Sequence, residues 1–302
     1  MRRSQTASDY QDAITAASRS GLAEVLTALG AYREALVLIG GWAPYLILEQ
    51  FGEQRAVQPE AFQRDAFQAG FVHVGSIDID LVVNPNLVDA KQYATMVELL
   101  LARGYEPGAD PLFQFQKSIL SPRDGQDYLI QVDFLAPKPL PGRGRARRHR
   151  QVQRDLRART LAGVEVALSH WFWYDLTAQL PDGAQTRVRL KVADLVSGLV
   201  LKGIAIGDRY AEKDAYDIHA LCAYYRGGPA AVAEILRPFL AEEVVGRSLR
   251  AIAEKFREPN AEGPTWVVAF MGGGDAATDA RIRQGAFMIV HEVCRLLRLV
   301  GS

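Results

Sequence analysis

The feature that most constrains this sequence is a short apolar stretch with aspartates at alternate positions. Residues 76–83 alternate and are rich in β-branched side chains, which predicts a strand. Successive side chains of a strand point to opposite faces, so Asp78 and Asp80 share one face, roughly 7 Å apart. Two like charges side by side repel each other unless something positive lies between them. Mg²⁺ prefers such carboxylate oxygens and completes its shell with water and substrate phosphate.

A third acid lies in a second apolar stretch, residues 128–135, which also predicts a strand. An unpaired carboxylate there is costly to bury, which favours a ligand or partner for Asp133. If this strand lies beside the first, three carboxylates form a site for two cations roughly 3.5–4 Å apart. Such ions lower the pKa of an acceptor hydroxyl and neutralise charge on a triphosphate. The alternative is that Asp78 and Asp80 line a solvated face.

A glycine pair lies upstream of these acids. Residues 35–39 predict a short buried strand, and residues 42–49 predict a helix, with Gly40 and Gly41 at the turn between them. Glycines at such a turn allow a phosphate to approach the backbone, and a helix N-terminus favours its negative charge. The pair therefore indicates a phosphate contact, although glycine turns of this kind are common.

Ser76 shares the face of Asp78 and Asp80, because it lies two residues before the first of them. Its hydroxyl is placed to bind a phosphate oxygen. The alternative is a serine at the start of a strand whose hydroxyl bonds to its own backbone.

The remaining pattern predicts a mixed α/β N-terminal half and a helical C-terminal half. Further strands are predicted at residues 113–120, 164–168 and 186–190, and helices at 9–29, 88–103, 192–206, 212–225, 230–240, 244–256 and 276–299. We expect a catalytic domain over residues 1–190, with a polar, Gln-rich insertion near 51–70, and a helical domain over 191–302.

Composition excludes several classes of protein. The 35 basic and 35 acidic residues give a net charge of zero, so any nucleic-acid contact must come from a local patch. Cys222 and Cys294 lack the spacing of a zinc site or disulfide scaffold and favour a reducing compartment. The most apolar stretch, residues 195–206, is too short to span a bilayer. We therefore expect a cytoplasmic protein with no membrane partner.

One such basic patch is a run of arginines after residue 142. Eight arginines occur within 17 residues: Arg143, Arg145, Arg147, Arg148, Arg150, Arg154, Arg157 and Arg159. Arginine forks bind phosphate well, and no Phe, Tyr or Trp is interleaved for base stacking. The run predicts contact with an RNA or DNA backbone, with Arg143 to Arg150 as the core. The alternative is a solvated surface, or pairing with acids elsewhere in the chain.

These motifs together resemble the DNA polymerase β-type nucleotidyltransferase superfamily, and within it the AbiEii/AbiGii toxin-like branch. The resemblance covers roughly residues 35–225. A distant segment adds to it, because the branch carries Lys, Arg, Lys-Asp and Asp where this chain has Lys202, Arg209, Lys213, Asp214 and Asp217. The last three also have the spacing of an intrahelical ion-pair set, which favours a structural role for them. For Lys202 the alternative to a phosphate contact is an exposed helix lysine.

Two departures from that branch stand out. The spacing of 37 residues from Gly41 to Asp78 exceeds the usual one, and we assign the excess to the insertion near 51–70. The basic residue often found two positions before Ser76 is Val74 here, and the adjacent His73 would face the other way.

The resemblance implies an α/β (α+β) fold in which helices flank a small mixed sheet that carries the metal site, followed by a helical domain. It implies NTP as substrate and Mg²⁺, or Mn²⁺, as cofactor. By match, the catalytic and metal-binding residues are Asp78, Asp80 and Asp133, and the NTP contacts are Gly40, Gly41, Ser76 and Lys202. The expected acceptor is RNA or protein, as for a toxin with an antitoxin partner. The alternatives are a small-molecule nucleotidyltransferase and a non-catalytic NTP-binding regulator.

Overall fold

The computed structural model describes residues 6–10, 12–52, 73–88, 94–138, 148–210, 212–272 and 274–300. These residues form two compact units. The sheet unit comprises the described residues of Gln11–Ala43 and Gly75–Ser197, and the helical unit those of Met1–Tyr10, Pro44–Val74 and Gly198–Ser302. Nearly all of the predicted insertion near 51–70 lies outside the described residues.

The described part of the sheet unit contains nine strands. They are β1 (Leu36–Ile39), β2 (Ile79–Val83), β3 (Glu106–Pro107), β4 (Gln114–Leu120), β5 (Asp127–Pro137), β6 (His149–Gln151), β7 (Arg157–Leu161), β8 (Trp171–Gln179) and β9 (Gln185–Ala193). Seven of them follow the order β3-β4-β5-β2-β1-β9-β8, while β7 pairs with β5 and β6. The pairs β2–β5, β1–β9 and β5–β7 are parallel and the others antiparallel, so the sheet is mixed.

Before the last strand, three α-helices begin in this unit: α1 (Asp12–Ala28), α2 (Trp42–Phe51) and α3 (Met96–Leu101). The helix α1 contacts β4, β5, β8 and β9. Every residue of β1 is buried, as expected of a central strand. In β5 buried residues alternate with half-buried polar ones from Ile130 to Phe134, which places one face of this strand in the core.

The helical unit is built around a buried helix. Its helices are α4 (Leu195–Asp208), α5 (Glu212–Tyr224), α6 (Pro229–Leu236), α7 (Glu243–Lys255), α8 (Glu262–Met271) and α9 (Ala276–Leu296). The first three residues of α4 belong to the sheet unit. The central α5 packs against α8 and α9. Ala220, Ala223 and Tyr224 form a core cluster with Leu48 of α2 and Ile289 of α9.

The structure confirms the predicted fold class, a mixed sheet with helices against it and a helical C-terminal region. None of the described helices has the length and apolar character needed to cross a bilayer. One predicted strand is wrong, because residues 164–168 form a 3₁₀-helix after Gly163, whose φ is 84°. A short apolar run suits a buried strand and a buried helical turn equally well. The elements β3, β6, β7, β8 and α8 were not predicted.

Two further boundaries differ from expectation. The strand β2 begins at Ile79, so residues 76–78 precede it and Asp78 lies in a bend. The helix predicted over 88–103 is described only at its end, as α3, where Thr95 and Glu98 form a reciprocal cap. Residues 89–93 lie outside the described residues.

Candidate active site

Backbone pairing brings two of the three predicted acids together. The strands β2 and β5 are parallel neighbours, and Asp80 lies directly opposite Asp133. Paired residues of adjacent strands point to the same face, and such strands lie about 4.8 Å apart. Both side chains are half-buried. The residues flanking them are buried: Ile79, Leu81, Val132 and Phe134.

Asp78 and Ser76 occupy the segment that leads into β2. Asp78 is exposed, and the bend takes it out of the regular alternation that the sequence suggested. Ser76 is buried, and its hydroxyl donates a hydrogen bond to the carbonyl oxygen of Asp78 over 3.1 Å. This is the local backbone bond named above as the alternative, and a phosphate contact of Ser76 stays a prediction.

The glycine turn lies directly against Asp80. Ile39, the last residue of β1, pairs with Asp80, and Gly40 follows with a φ of 68°. A Cβ atom at position 40 would lie 1.9 Å from Oδ2 of Asp80, far inside any possible contact. Only glycine therefore fits here, and the turn leading through Gly41 to α2 adjoins the Asp80 carboxylate.

A buried serine links this turn to the segment before β2. The indole Nε1 of Trp42 donates to the hydroxyl of Ser18 over 3.1 Å, and that hydroxyl donates to the carbonyl oxygen of Ile77 over 2.8 Å. The first bond is buried and the second partly buried, and together they favour a fixed geometry. The helix α1 thereby ties the start of α2 to the residue before Asp78.

Two glutamines surround Asp133. The side-chain amides of Gln114 and Gln131 both donate to Oδ1 of Asp133, over 3.1 and 3.0 Å. Gln114 lies opposite Asp133 on β4, and Gln131 lies two residues earlier on β5. Sequence reasoning missed both residues. The only available signal was that Gln131 interrupts an apolar strand on the face of Asp133.

The donor set suits a hard divalent cation. Among the described residues, no group of three or more His, Cys, Asp or Glu side chains is arranged to hold a metal ion. Mg²⁺, however, is commonly held by one or two carboxylates, with water and substrate phosphates as the other ligands. The neighbouring carboxylates of Asp80 and Asp133, beside a turn that leaves no room for a Cβ, fit that mode of binding.

The helical unit contains a buried cluster of charges. Lys202 donates to Oδ1 of Asp214 over 2.6 Å and lies 2.5 Å from Oδ2 of Asp217. Burial alone would lower the pKa of Lys202, but Asp214 and Asp217 outweigh it and raise that pKa. Burial likewise opposes ionisation of Asp217, but Lys202 and Lys213 hold its pKa well below the usual value. Lys202 therefore stays charged, and its contact with NTP remains a prediction.

Other members of the cluster complete it. Lys213 pairs with Asp217 at i,i+4 spacing over 3.1 Å, which confirms the predicted intrahelical ion pair, and burial lowers the pKa of Lys213. The Nε2 atom of His73 lies 2.9 Å from Oδ1 of Asp217. Burial lowers the pKa of His73, and Asp217 opposes that shift. From the strand alternation, His73 was expected to face away from the acids. Nothing in the local sequence indicated that its partner would be Asp217, 144 residues later.

The arginine run is only partly described. Arg143, Arg145 and Arg147 lie outside the described residues, while Arg148 is exposed and Arg150 half-buried. Three later members have partners within the chain. Arg154 pairs with Glu98, Arg157 donates to Gln151 over 3.0 Å, and Arg159 lies 5.9 Å from the ring centre of Phe113.

Comparison with known proteins adds little. No protein-family model matches the chain, and no curated protein matches it. A solved structure with partial similarity is that of MenT4, a nucleotidyltransferase toxin from Mycobacterium tuberculosis H37Rv. The match has 12% sequence identity and a TM-score of 0.35, and it covers 98% of this chain and 94% of that one. Since similarity at this level does not establish a shared fold, the function must be inferred from the chain's own residues.

Proposed function

We propose that this chain is a metal-dependent nucleotidyltransferase, which moves a nucleoside monophosphate from an NTP onto an acceptor hydroxyl. The observation that carries this proposal is the register of β2 and β5, which sets Asp80 beside Asp133 next to the Gly40 turn. Two neighbouring carboxylates on one face repel each other and so favour a cation between them. A glycine turn at the same carboxylates suits the phosphates that such a cation accompanies.

The residues take the following roles in this proposal. Asp80 and Asp133 would hold Mg²⁺ or Mn²⁺ together with the substrate, whereas a metal contact of Asp78, in the bend before β2, stays a prediction. The bound ions supply neutralisation of the charge on the triphosphate and on the departing pyrophosphate. Asp133 accepts the proton of the acceptor hydroxyl as its oxygen forms a bond to the α-phosphorus. The bond between that phosphorus and the oxygen bridging to the β-phosphate then breaks, and pyrophosphate leaves. Backbone groups at Gly40 and Gly41 orient the phosphates.

The proposed context is a toxin whose acceptor is RNA or protein and whose activity is held in check by an antitoxin protein. The resemblance to toxin-like nucleotidyltransferases supports it. Exposed arginine in the run after residue 142 favours an acceptor rich in phosphate. A small-molecule acceptor and a regulator that binds NTP without transfer are the competing outcomes of the experiment below.

The experiment measures label transfer from each α-³²P-labelled NTP, with Mg²⁺, to total RNA or to the protein itself. We expect Asp80→Asn and Asp133→Asn each to lower the rate by more than about 100-fold, because loss of an outer-shell partner alone costs about 10–100-fold. The matched control is Asp127→Asn, an exposed acid on the same face of β5. It should transfer label at the wild-type rate.

Several outcomes would count against the proposal. If Asp80→Asn transferred label at the wild-type rate, the proposed metal site at Asp80 and Asp133 would be ruled out. Tight NTP binding without transfer to any acceptor would identify a regulator, and transfer only to small hydroxyl compounds would replace the toxin context.

A further inference from the structure

Asp133 is held from two directions by neutral side chains. Gln114 approaches it from β4 and Gln131 along β5, and both amides donate to the same oxygen, Oδ1. On its third side lies Asp80, a like charge. Two bonds to one oxygen restrict rotation of the carboxylate, and donors to a charged carboxylate offset repulsion from its neighbour.

The amide of Gln114 has its own fixed orientation. Its Oε1 atom accepts a hydrogen bond from the backbone N–H of Ala109 over 2.9 Å. Because an amide oxygen only accepts, this bond turns the NH₂ end towards Asp133. Gly108 makes room for the arrangement, since a Cβ there would lie 2.7 Å from Cγ of Gln114 and 2.8 Å from its Oε1. The turn after β3 thus determines which end of Gln114 meets the carboxylate.

The choice of glutamine has a chemical reason. A lysine or arginine at either position would neutralise Asp133 and compete with a divalent cation for its oxygens. An amide orients the carboxylate while leaving its full negative charge available. Partners of this kind around a metal ligand fix its orientation and raise its affinity for the ion.

We infer that Gln114 and Gln131 are positioning residues that orient Asp133 for a divalent cation, and that Gly108 and Ala109 set the orientation of Gln114. This inference rests on the proposed function, because it takes Asp133 as a metal ligand. Neither glutamine touches the reacting atoms in this scheme, so each acts only through Asp133.

The test measures Mn²⁺ binding to the full chain by electron paramagnetic resonance, with a non-hydrolysable NTP analogue present and without acceptor. Gln114→Met and Gln131→Met keep the side-chain volume and remove the amide donor. We expect each to weaken Mn²⁺ binding about tenfold, in the range found for outer-shell partners. The matched control is Gln116→Met, which lies on the same face opposite Gln131. It should bind Mn²⁺ like the wild type. All variants should keep the wild-type melting temperature within a few degrees.

A second measurement removes the dependence on any one variant. Gly108→Ala should weaken Mn²⁺ binding about tenfold in the wild-type background, as expected for a displaced outer-shell partner. It should have no further effect in Gln114→Ala, because that variant lacks the Cγ and Oε1 that the new methyl group would meet. An equal effect of Gly108→Ala in both backgrounds would overturn the role given to this turn.

The outcomes separate the two proposals. If Asp133→Asn weakens Mn²⁺ binding but neither glutamine variant does, the positioning role is wrong and the metal site stands. If Asp133→Asn and wild type bind Mn²⁺ equally, or neither binds it, both proposals are overturned. If Gln116→Met weakened Mn²⁺ binding as much as Gln131→Met does, the effect would be a general one of removing an amide from this face of β4 and β5. That result would also overturn the inference.

Discussion

Gly40 and Asp80 approach each other so closely that no side chain fits between them. A Cβ at position 40 would lie 1.9 Å from Oδ2 of Asp80 and 2.8 Å from its Cγ. The two residues belong to adjacent strands or their immediate continuation, so neither backbone can simply move away. The turn after β1 and the carboxylate of β2 are therefore one structural unit, and changing the turn must displace the carboxylate.

Gly40→Ala should accordingly impair label transfer. A left-handed φ of 68° costs a residue with a Cβ about 1–2 kcal/mol. In addition, the new methyl group would push the Asp80 carboxylate out of place. A displacement of a catalytic group by about 1 Å can lower the rate about 100-fold. The control is Gly125→Ala in the β4–β5 turn, where φ is also 68° but no atom lies within 4 Å of the added Cβ. It should lose only the roughly 1–2 kcal/mol of the backbone cost and keep the wild-type rate. Equal rates in the two variants would contradict the role of the Gly40 contact.

Asp217→Asn should strongly destabilise the helical unit. Asp217 is fully buried and is the shared partner of Lys202, Lys213 and His73. Removing one partner of a buried ion pair costs about 3–5 kcal/mol, because the remaining charges stay buried without compensation. Urea unfolding measures this loss. The control is Glu254→Gln, whose pair with Arg257 is exposed and should contribute less than about 1 kcal/mol. A loss below that value for Asp217→Asn would mean that the buried pair does not stabilise the fold.

His219 should make stability fall in mild acid. Burial lowers its pKa from 6.5 to about 4. Between these values the unfolded chain binds a proton that the folded chain does not, so the free energy of unfolding decreases as pH falls from about 6.5 towards 4. From pH 7 to pH 5 this group should remove about 2 kcal/mol. Urea unfolding of wild type and His219→Leu at both pH values isolates the effect. Equal pH dependence in the two proteins would show that His219 is not the group responsible.

Charge reversal at two arginines of the run tests whether the acceptor is RNA. Arg148→Glu with Arg150→Glu should weaken binding of an RNA acceptor and lower the slope of log affinity against log salt by roughly one to two. Binding of a small acceptor should hardly change. The control is Arg247→Glu with Arg250→Glu, two exposed arginines of α7 with the same change in net charge. An equal loss in both double variants would indicate a general charge effect without a specific RNA surface.

The helices and strands whose residues carry a clear local pattern were predictable from the sequence. The strand β1 and helices α2, α5 and α7 were predicted to within two residues at each end, because hydrophobic periodicity is a local signal and, for β1 and α2, so is the glycine pair between them. The run at 164–168 was predicted wrongly for the opposite reason. Five residues with three buried apolar side chains carry no period that separates a strand from a 3₁₀ turn.

The sequence alone indicated which acids could form a site and that Asp80 and Asp133 occupy the polar face of their strands, because the alternation of a strand is a property of consecutive residues. It did not indicate the bend that places Asp78 before β2. Only the tertiary structure decided that Asp80 lies opposite Asp133, that Gln114 and Gln131 hold the latter, and that His73 meets Asp217. Each of these contacts depends on which segments pair and in which register. That choice is made by the burial of whole strands and helices, so it cannot be inferred from the short windows in which sequence patterns occur.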